Sequence, residues 1–258
     1  MNASDIKIST KRVGGGFGGK GRPSDIVAIA AAIGAKISGR RVVMEIPLRH
    51  SHQINGGRPE ARSDYRAVFD KESKLLKSLH IDLYVDCGYS CNDGKVYNFC
   101  MNTLRALGQG PYAIENVHWN VSLVKTNKPL VVAMRGPGEV IPLYILEAIF
   151  DRAAIELEID HAEIRQKNLN FGKTDSIGTV ATHRSIETFN AVKNEASYEQ
   201  LEQETREFNK LNTWKKRGLS VTPLRGRWAN VGCYGSARSF DHFYFKFEKS
   251  ETIYFEKL

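Results

Sequence analysis

The first 46 residues alternate between patterns typical of strands and of helices. Ile6–Val13 alternates apolar and polar side chains, which predicts a strand, and the glycine-rich loop Gly14–Lys20 follows it. Ile26–Ile37 is rich in Ala and Ile and predicts a buried helix, for which Ser24 is the expected N-cap. Arg41–Ile46 predicts a second strand, so the expected order is strand, glycine loop, helix and strand.

The middle of the chain predicts a pair of strands. Asp64–Phe69 and Leu75–Val85 flank the turn Asp70–Ser73, which is typical of an antiparallel hairpin. Residues 86–111 lack periodicity, except for a short helix expected near Phe99–Ala106. Trp119–Lys125 alternates again and predicts another strand.

A long helix is predicted over Val140–Leu157. Pro142 falls in its first turn, where the missing amide does little harm. Apolar side chains at helical spacing predict one buried face of this helix. That face consists of Ile141, Tyr144, Ile145, Ala148 and Ile149.

The remaining elements make the predicted fold irregular. Asp160–Glu163 fits a capping box and predicts a short helix to about Asn168. Ser197–Gln200 fits another and predicts a polar helix to about Trp214. Phe243–Phe255 alternates and predicts a hairpin. Strands and helices therefore interleave without a repeat, which predicts an α+β fold of mixed sheets with flanking helices.

Composition and charge exclude several classes of protein. The 258 residues are 41% hydrophobic and 26% charged, as in ordinary globular chains. The net charge is +8, but the basic residues are dispersed and their densest cluster is Lys215–Arg217, so no nucleic-acid partner is expected. The longest apolar stretch, Ile26–Ile33, is too short to span a bilayer, so no membrane partner is expected either.

Location and cysteine chemistry follow from simpler signals. The N-terminus lacks the basic and apolar regions of a secretory signal, so a cytoplasmic location is expected. The cysteine spacing matches no common zinc or iron–sulfur pattern, and reduced thiols are expected. The four cysteines are Cys87, Cys91, Cys100 and Cys233.

The glycine-rich loop suits a phosphate-bearing ligand, because glycines let the backbone approach closely and amides at a helix start point outward. Gly14, Gly16 and Gly19 satisfy the dinucleotide spacing, with Glu45 as the ribose-binding acid, although the helix starts late. The loop also satisfies the triphosphate spacing, but Gly21 stands where that motif needs Ser or Thr. The loop by itself leaves these alternatives open.

An ordered set of segments resembles the xanthine dehydrogenase and aldehyde oxidase family. Lys11–Lys20 is similar to the family's signature loop, and the other segments occur in family order at near-family spacing. They are Asn55–Arg58, Lys125–Pro129, Arg135–Gly138, Glu163–Leu169 and Trp214–Gly218. The chain is identified by this resemblance as the first half of the family's molybdenum-cofactor domain.

The resemblance implies a chemistry and a domain organisation. Family members carry a molybdenum–molybdopterin cofactor, iron–sulfur clusters and FAD, and they hydroxylate aldehydes or N-heterocycles with oxygen from water. The clusters, FAD and the catalytic glutamate base are expected outside this chain. Residues 1–258 would form a partial molybdopterin-binding domain, with a glycine-loop and strand-rich part (1–135), a helical part (136–223) and a truncated hairpin (224–258).

The resemblance also carries over cofactor contacts. Gly16, Phe17 and Gly18 match the loop whose backbone lies beside the metal centre, and Arg135 matches an arginine that lines the cofactor pocket. Phe17 and Arg135 are therefore the expected contacts near molybdenum. An arginine suits an anionic, oxygen-rich ligand. No residue of this chain is expected to be catalytic.

Three substrate-pocket positions depart from the family pattern. Xanthine-oxidising members have a glutamate in place of Gly21, an arginine in place of Thr103 and an aromatic residue in place of Pro137. Those groups would polarise a heterocycle and stack on it, so xanthine is not the expected substrate. Aldehyde-oxidising relatives lack the first two groups as well.

Three functional hypotheses follow from the sequence. In the first, the chain is part of a molybdenum hydroxylase acting on a small aldehyde or heterocycle and is inactive alone. In the second, it is a non-catalytic remnant that serves as a binding module. In the third, it is a nucleotide-binding domain that uses the loop Gly14–Lys20. The resemblance also makes a homodimer one expectation.

Overall fold

The computed structural model describes residues 5–20, 23–90, 110–170 and 185–212, with single residues between 100 and 107 and short strand segments after residue 216. Its framework is a three-stranded sheet of β1 (Ala61–Phe69), β2 (Leu76–Asp86) and β3 (Asn116–Val124), in that order. β1 pairs with β2 antiparallel, and β3 pairs with β2 parallel. The predicted α+β fold with a mixed sheet is confirmed.

The predicted hairpin between β1 and β2 is also confirmed. The Asp70 carboxylate accepts hydrogen bonds from the amides of Glu72 (3.2 Å) and Ser73 (2.7 Å). Lys74 ends the turn with a φ of 63°. A short acidic side chain that bonds its own backbone in this way is what makes the turn readable from local sequence.

β2 supplies the centre of the hydrophobic core. It is the central strand, and its alternate side chains on one face are no more than 1% exposed. Those residues are Leu79, Ile81, Leu83 and Val85. His80 and Asp82 lie on the opposite face, as the period of two requires.

The helices with described bounds are α1 (Pro23–Ser38), α2 (Leu48–Asn55), α3 (Val140–Glu156), α4 (His161–Asn168), α5 (Ser185–Glu195) and α6 (Tyr198–Leu211). In addition, the described residues of the predicted helix Phe99–Ala106, namely Cys100, Asn102, Thr103 and Ala106, are helical. The sequence analysis did not predict α2 or α5. None of the helices within the described residues is long and apolar enough to cross a membrane.

The short C-terminal strands pair differently from the predicted hairpin. They are β4 (Arg217–Gly218), β5 (Leu224–Gly226), β6 (His242–Tyr244) and β7 (Ser250–Glu251). β6 pairs with β5, and β7 pairs with β4. The hairpin predicted over Phe243–Phe255 is therefore wrong for these residues, because alternation specifies the faces of a strand but not its partner. The remainder of that segment lies outside the described residues.

α3 packs on the sheet through a face that the sequence did not predict. The Phe150 ring meets Phe69 edge-on at 5.6 Å between centroids and lies 4.1 Å from the Tyr112 ring. Of the predicted face, Ile149 is buried, but Tyr144 is 75% exposed and Ala148 is also exposed. The helix is instead oriented by its largest buried ring. Its buried residues are Pro142, Leu143, Leu146, Glu147, Ile149, Phe150, Ala153 and Ala154.

α4 begins as predicted. The Asp160 side chain accepts hydrogen bonds from the amides of Ala162 and Glu163, both at 2.9 Å, which satisfies two donors that the first helical turn leaves unpaired. The helix ends at Asn168, also as predicted. The Asn168 side chain is buried and bonds the amide of Leu76 and the carbonyl of Lys74, so it attaches α4 to the start of β2.

α6 begins differently from its prediction. Ser197 has a left-handed backbone (φ 51°, ψ 46°), and its side chain makes no capping hydrogen bond, so the predicted capping box is wrong. A capping serine needs an extended backbone to reach the amides of the first turn, whereas the amide of the left-handed Ser197 donates to the carbonyl of Asn194 at 3.1 Å. The helix ends at Leu211, where Asn212 bonds the carbonyl of Phe208.

The N-terminal region corrects four further predictions. Ile6–Val13 and Arg41–Ile46 are irregular rather than β-strands, since neither pairs with a strand among the described residues. α1 begins at Pro23, so Ser24 lies inside the helix and is not its N-cap. The helix is not buried either. Ile26, Ile29, Ile33 and Ile37 lie between 45% and 81% exposed, although such an apolar composition is usually enclosed.

Candidate functional site

The segment that leaves β3 passes over two glycine turns. Residues 126–136, here named the crossing segment, begin where the Thr126 amide donates to the carbonyl of Gly88 at 2.9 Å. Gly88 has a φ of 68°, and a β carbon there would lie 2.1 Å from the carbonyl oxygen of Pro129. A glycine is therefore required for this approach of two backbones.

The same relation recurs at the turn before β1. Gly56 has a φ of 64°, and a β carbon on it would lie 2.8 Å from the carbonyl oxygen of Leu130. The Val132 amide then donates to the carbonyl of Gly57 at 3.1 Å. These contacts hold the crossing segment along the Gly56–Gly57 turn over several residues.

The glycine-rich loop packs against the next part of the crossing segment. Gly18 has a φ of 89°, and a β carbon there would lie 2.1 Å from the carbonyl oxygen of Ala133. A β carbon on Gly19 would lie 3.2 Å from the Met134 sulfur. No side chain other than hydrogen fits at Gly18, so this contact explains one glycine of the loop by geometry alone.

Phe17 stands in an uncommon conformation between these glycines. Its φ is 49°, in the left-handed region that non-glycine residues seldom occupy. Its ring folds back over Gly15, where a β carbon would lie 2.6 Å from the Phe17 Cε2 atom. The side chain is exposed. Strained residues of this kind concentrate at ligand sites, and Phe17 is a candidate for that reason.

Arg135 follows directly after the loop contact. Ala133 and Met134 touch the glycine loop, so Arg135 lies within two residues of that contact and is exposed. Its carbonyl accepts a hydrogen bond from Nη2 of Arg58 at 2.5 Å, and the Gly136 carbonyl accepts from Nη1 at 3.3 Å. The structure thus brings together the two loops that the sequence predicted to contact the cofactor.

Two of the diverged substrate-pocket positions lie beside this arrangement. The Asn102 side chain donates to the carbonyl of Pro137 at 2.9 Å, which places the helical turn containing Thr103 next to the Arg135 loop. Thr103 is fully buried. Gly21 lies outside the described residues. The structure therefore joins Thr103 and Pro137 to the candidate site.

Comparison with known proteins gives this arrangement a family. Residues 1–169 match the family model of the molybdopterin cofactor-binding domain. The chain belongs to that family. It is 32% identical over 231 residues to probable aldehyde oxidase 3 of Oryza sativa subsp. japonica, and 31% identical over 229 residues to indole-3-acetaldehyde oxidase of Zea mays. Each match covers 85% of this chain and 16% of the relative, so the chain spans about one sixth of their length.

A solved structure supports the same assignment. The aldehyde oxidoreductase from Desulfovibrio desulfuricans ATCC 27774 is 26% identical, with a TM-score of 0.63, and the match covers 81% of this chain and 22% of that one. The resemblance read from the sequence, to the aldehyde oxidase and xanthine dehydrogenase type of molybdopterin-binding domain, is confirmed. The contacts of individual residues with a cofactor stay predictions.

This molybdopterin cofactor-binding domain presents backbone and cations at the candidate site. Within the ranges described, no three His, Cys, Asp or Glu side chains gather in a way that could hold a metal ion. Phe17 and Arg135 contribute a backbone and a guanidinium, which suit an anionic organic cofactor rather than a bare metal.

Arg58 has no role predicted from the sequence. It belongs to Asn55–Arg58, a segment that resembles a family turn. The signal available was an arginine directly after two glycines. Its partners lie 77 and 78 residues away, and no local pattern specifies them.

Proposed function

We propose that this chain forms one wall of the cofactor pocket in a molybdenum-dependent oxidoreductase that hydroxylates aldehydes or N-heterocycles. It would act together with the rest of a longer enzyme and be inactive alone. The observation that carries this proposal is the packing of Gly18 against Ala133, which places Phe17 and Arg135 at one junction. The family supports a molybdenum–molybdopterin cofactor. Iron–sulfur clusters and FAD would belong to other domains of the proposed enzyme.

The residues at the junction fit an anionic, phosphate-bearing cofactor. Gly16 is exposed and a β carbon on it would meet nothing within 4 Å, so a ligand could approach its backbone closely. Arg135 supplies a guanidinium whose fork matches phosphate or carboxylate oxygens. The cofactor, when bound, supplies the redox centre of hydroxylation. The chain's own residues would bind it and fix its orientation.

Substrate preference follows from the diverged positions. Pro137 replaces the family's stacking aromatic residue, and the buried Thr103 replaces an arginine that would bind a heterocycle. An aldehyde therefore fits the proposal better than xanthine does. The names of the two plant relatives, both aldehyde oxidases, support this preference.

The test of the proposal is cofactor content. The 258-residue chain is purified from a host that makes the cofactor, and bound molybdenum and oxidised pterin are measured against protein. Gly18→Ala should lose the cofactor, because its β carbon would strike Ala133. Gly14→Ala is the matched control, since a β carbon there meets nothing within 4 Å. If the unmodified chain holds pterin, equal pterin content in both variants would contradict the assigned junction.

The two other hypotheses have separate outcomes in the same experiment. A nucleotide-binding domain needs a strand before the glycine loop, but Ile6–Val13 is irregular in the structure. Stoichiometric nucleotide without molybdenum would nevertheless support that hypothesis and overturn ours. A folded chain with neither ligand would support the non-catalytic remnant. Sedimentation of the same sample tests the proposed homodimer, and fractionation of cells tests the proposed cytoplasmic location.

A further inference from the structure

Arg58 joins two parts of the chain that are far apart in sequence. Its Nη2 donates to the carbonyl of Arg135 at 2.5 Å and its Nη1 to the carbonyl of Gly136 at 3.3 Å. The two donors of one planar guanidinium thus hold consecutive carbonyls, which fixes the direction of the backbone as well as its distance. A lysine has no fork of this kind and cannot reproduce the arrangement.

The hydrogen bonds of Arg58 lie at the end of the crossing segment, whose other contacts described above are made by glycines. Gly56 and Gly57 contact the crossing segment at Leu130 and Val132, and the glycine loop contacts it from Ala133 onward. Arg58 is the next residue of the turn, and it holds the crossing segment just after the loop contact. The backbone on both sides of the Gly18–Ala133 contact is therefore restrained by the turn containing Arg58.

The charge of Arg58 is not balanced by a carboxylate among the described residues. Its hydrogen-bond partners are backbone carbonyls, whereas the buried Arg165 has the carboxylates of Glu147 and Asp151 at 2.7 Å. Partial burial lowers the pKa of Arg58, and the group nonetheless stays a cation near neutral pH. Within the described ranges, this partly buried cation is held by carbonyl dipoles, which leaves positive potential at the site.

We propose that Arg58 is a positioning residue for the candidate cofactor site. It fixes the Arg135 loop against the glycine loop, and its charge, which no carboxylate of the described residues pairs with, adds to the attraction of a phosphate-bearing anionic ligand. The part concerning the ligand rests on the proposed function. The part concerning the loop does not, because it depends only on contacts within this chain.

Hydrogen exchange by mass spectrometry tests the positioning role without a cofactor. In the chain carrying Arg58→Ala, the amides of Val132 and Glu139, which bond Gly57 and Gly136, should exchange at least about tenfold faster. The amides of β2 should keep the rate of the unmodified chain. Added guanidinium ion at low concentration should restore part of the protection, because it can occupy the vacated position between the carbonyls.

Two further variants separate geometry from charge. Arg58→Lys keeps the charge but loses the forked guanidinium. The amides of Val132 and Glu139 should therefore exchange nearly as fast in this variant as in Arg58→Ala. Arg62→Ala removes an exposed arginine that pairs with Asp64 inside β1, and it should leave Val132 and Glu139 unchanged. Unaltered exchange in Arg58→Ala, or faster exchange throughout the chain, would overturn the positioning role.

Cofactor content distinguishes the two proposals. If the unmodified chain holds molybdenum and pterin, Arg58→Ala should reduce both at least about tenfold, and Arg58→Lys should retain more than Arg58→Ala because it keeps the cation. If the unmodified chain holds neither while Arg58→Ala still exchanges faster at Val132, the positioning role stands and the proposed function fails. Full cofactor retention in Arg58→Ala would overturn the proposal that Arg58 helps to bind the anionic ligand.

Discussion

Arg165 donates through Nε to Glu147 at 2.7 Å inside the core, and its side chain is fully buried. The hydroxyl of Tyr112 donates to the other oxygen of Glu147 at 2.6 Å, and Nη2 of Arg165 reaches Asp151 at 2.7 Å. Burial raises the pKa of Glu147. Burial opposes the charge of Arg165, but Tyr112, Glu147 and Asp151 outweigh it and raise the pKa of the guanidinium. This network attaches α3 and α4 to the segment before β3.

Removal of Arg165 should destabilise the chain strongly. Arg165→Ala leaves two acidic groups without their cation, one of them buried, and should lower the free energy of unfolding by about 3–5 kcal/mol. Urea unfolding measures this change. Arg152→Ala is the control, because its pair with Glu156 is exposed on both sides and should contribute little to the free energy of unfolding. Similar losses in the two variants would show that burial of the network has no energetic consequence.

Acidification should release the crossing segment from β2. Partial burial works against the charged Asp86 carboxylate, but hydrogen bonds from Thr126, Gly88 and Lys128 outweigh it and lower its pKa. A carboxyl whose pKa is lower in the folded state stabilises the fold above its unfolded pKa. That contribution is lost as the pH falls through the lowered pKa of the folded state.

Asp86→Asn tests this expectation. The free energy of unfolding of the unmodified chain should fall as the pH drops through and below the usual range of an aspartate, and the variant should show a shallower fall. Asp64→Asn, at an exposed carboxylate of β1, should keep the slope of the unmodified chain. An unchanged slope in Asp86→Asn would show that Asp86 does not couple the crossing segment to folding.

Two adjacent glycines should respond differently to the same substitution. Gly56→Ala places a β carbon 2.8 Å from the Leu130 carbonyl at a φ of 64°, and should cost about 1–3 kcal/mol. Gly57→Ala meets nothing within 4 Å and should change stability by less than about 0.5 kcal/mol. Thermal unfolding of both variants measures the difference. Equal costs would mean that the contact with Leu130 does not restrict Gly56.

The exposed apolar face of α1 should tolerate charge. Ile37 is 81% exposed, so Ile37→Lys should change the free energy of unfolding by less than about 0.5 kcal/mol. Leu79 is fully buried in β2, and Leu79→Ala should cost about 2–5 kcal/mol. Chemical denaturation of the two variants compares these sites. A cost at Ile37 as large as that at Leu79 would show that α1 is enclosed in solution.

Elements formed by short-range interactions could be predicted from the sequence. Asp70 bonds its own turn and Asp160 its own helix start, so both features depend on residues at most three positions away. The α3 face could not be predicted in this way. Two apolar faces compete on that helix, and the choice depends on where Phe69 and Tyr112 lie. The strand predicted over Ile6–Val13 was wrong for a related reason, because an alternating segment forms a strand only beside a pairing partner.

The sequence by itself determined the family, through ordered motifs from the glycine loop to Arg135 and beyond, and it determined the hairpin and the cap of α4. Only the tertiary structure decided how those motifs meet. Gly18 packs on Ala133, and Arg58 holds the carbonyls of Arg135 and Gly136. Motifs and caps are local patterns of side chains, whereas these contacts join segments more than 70 residues apart, and their partners are fixed only when the chain has folded.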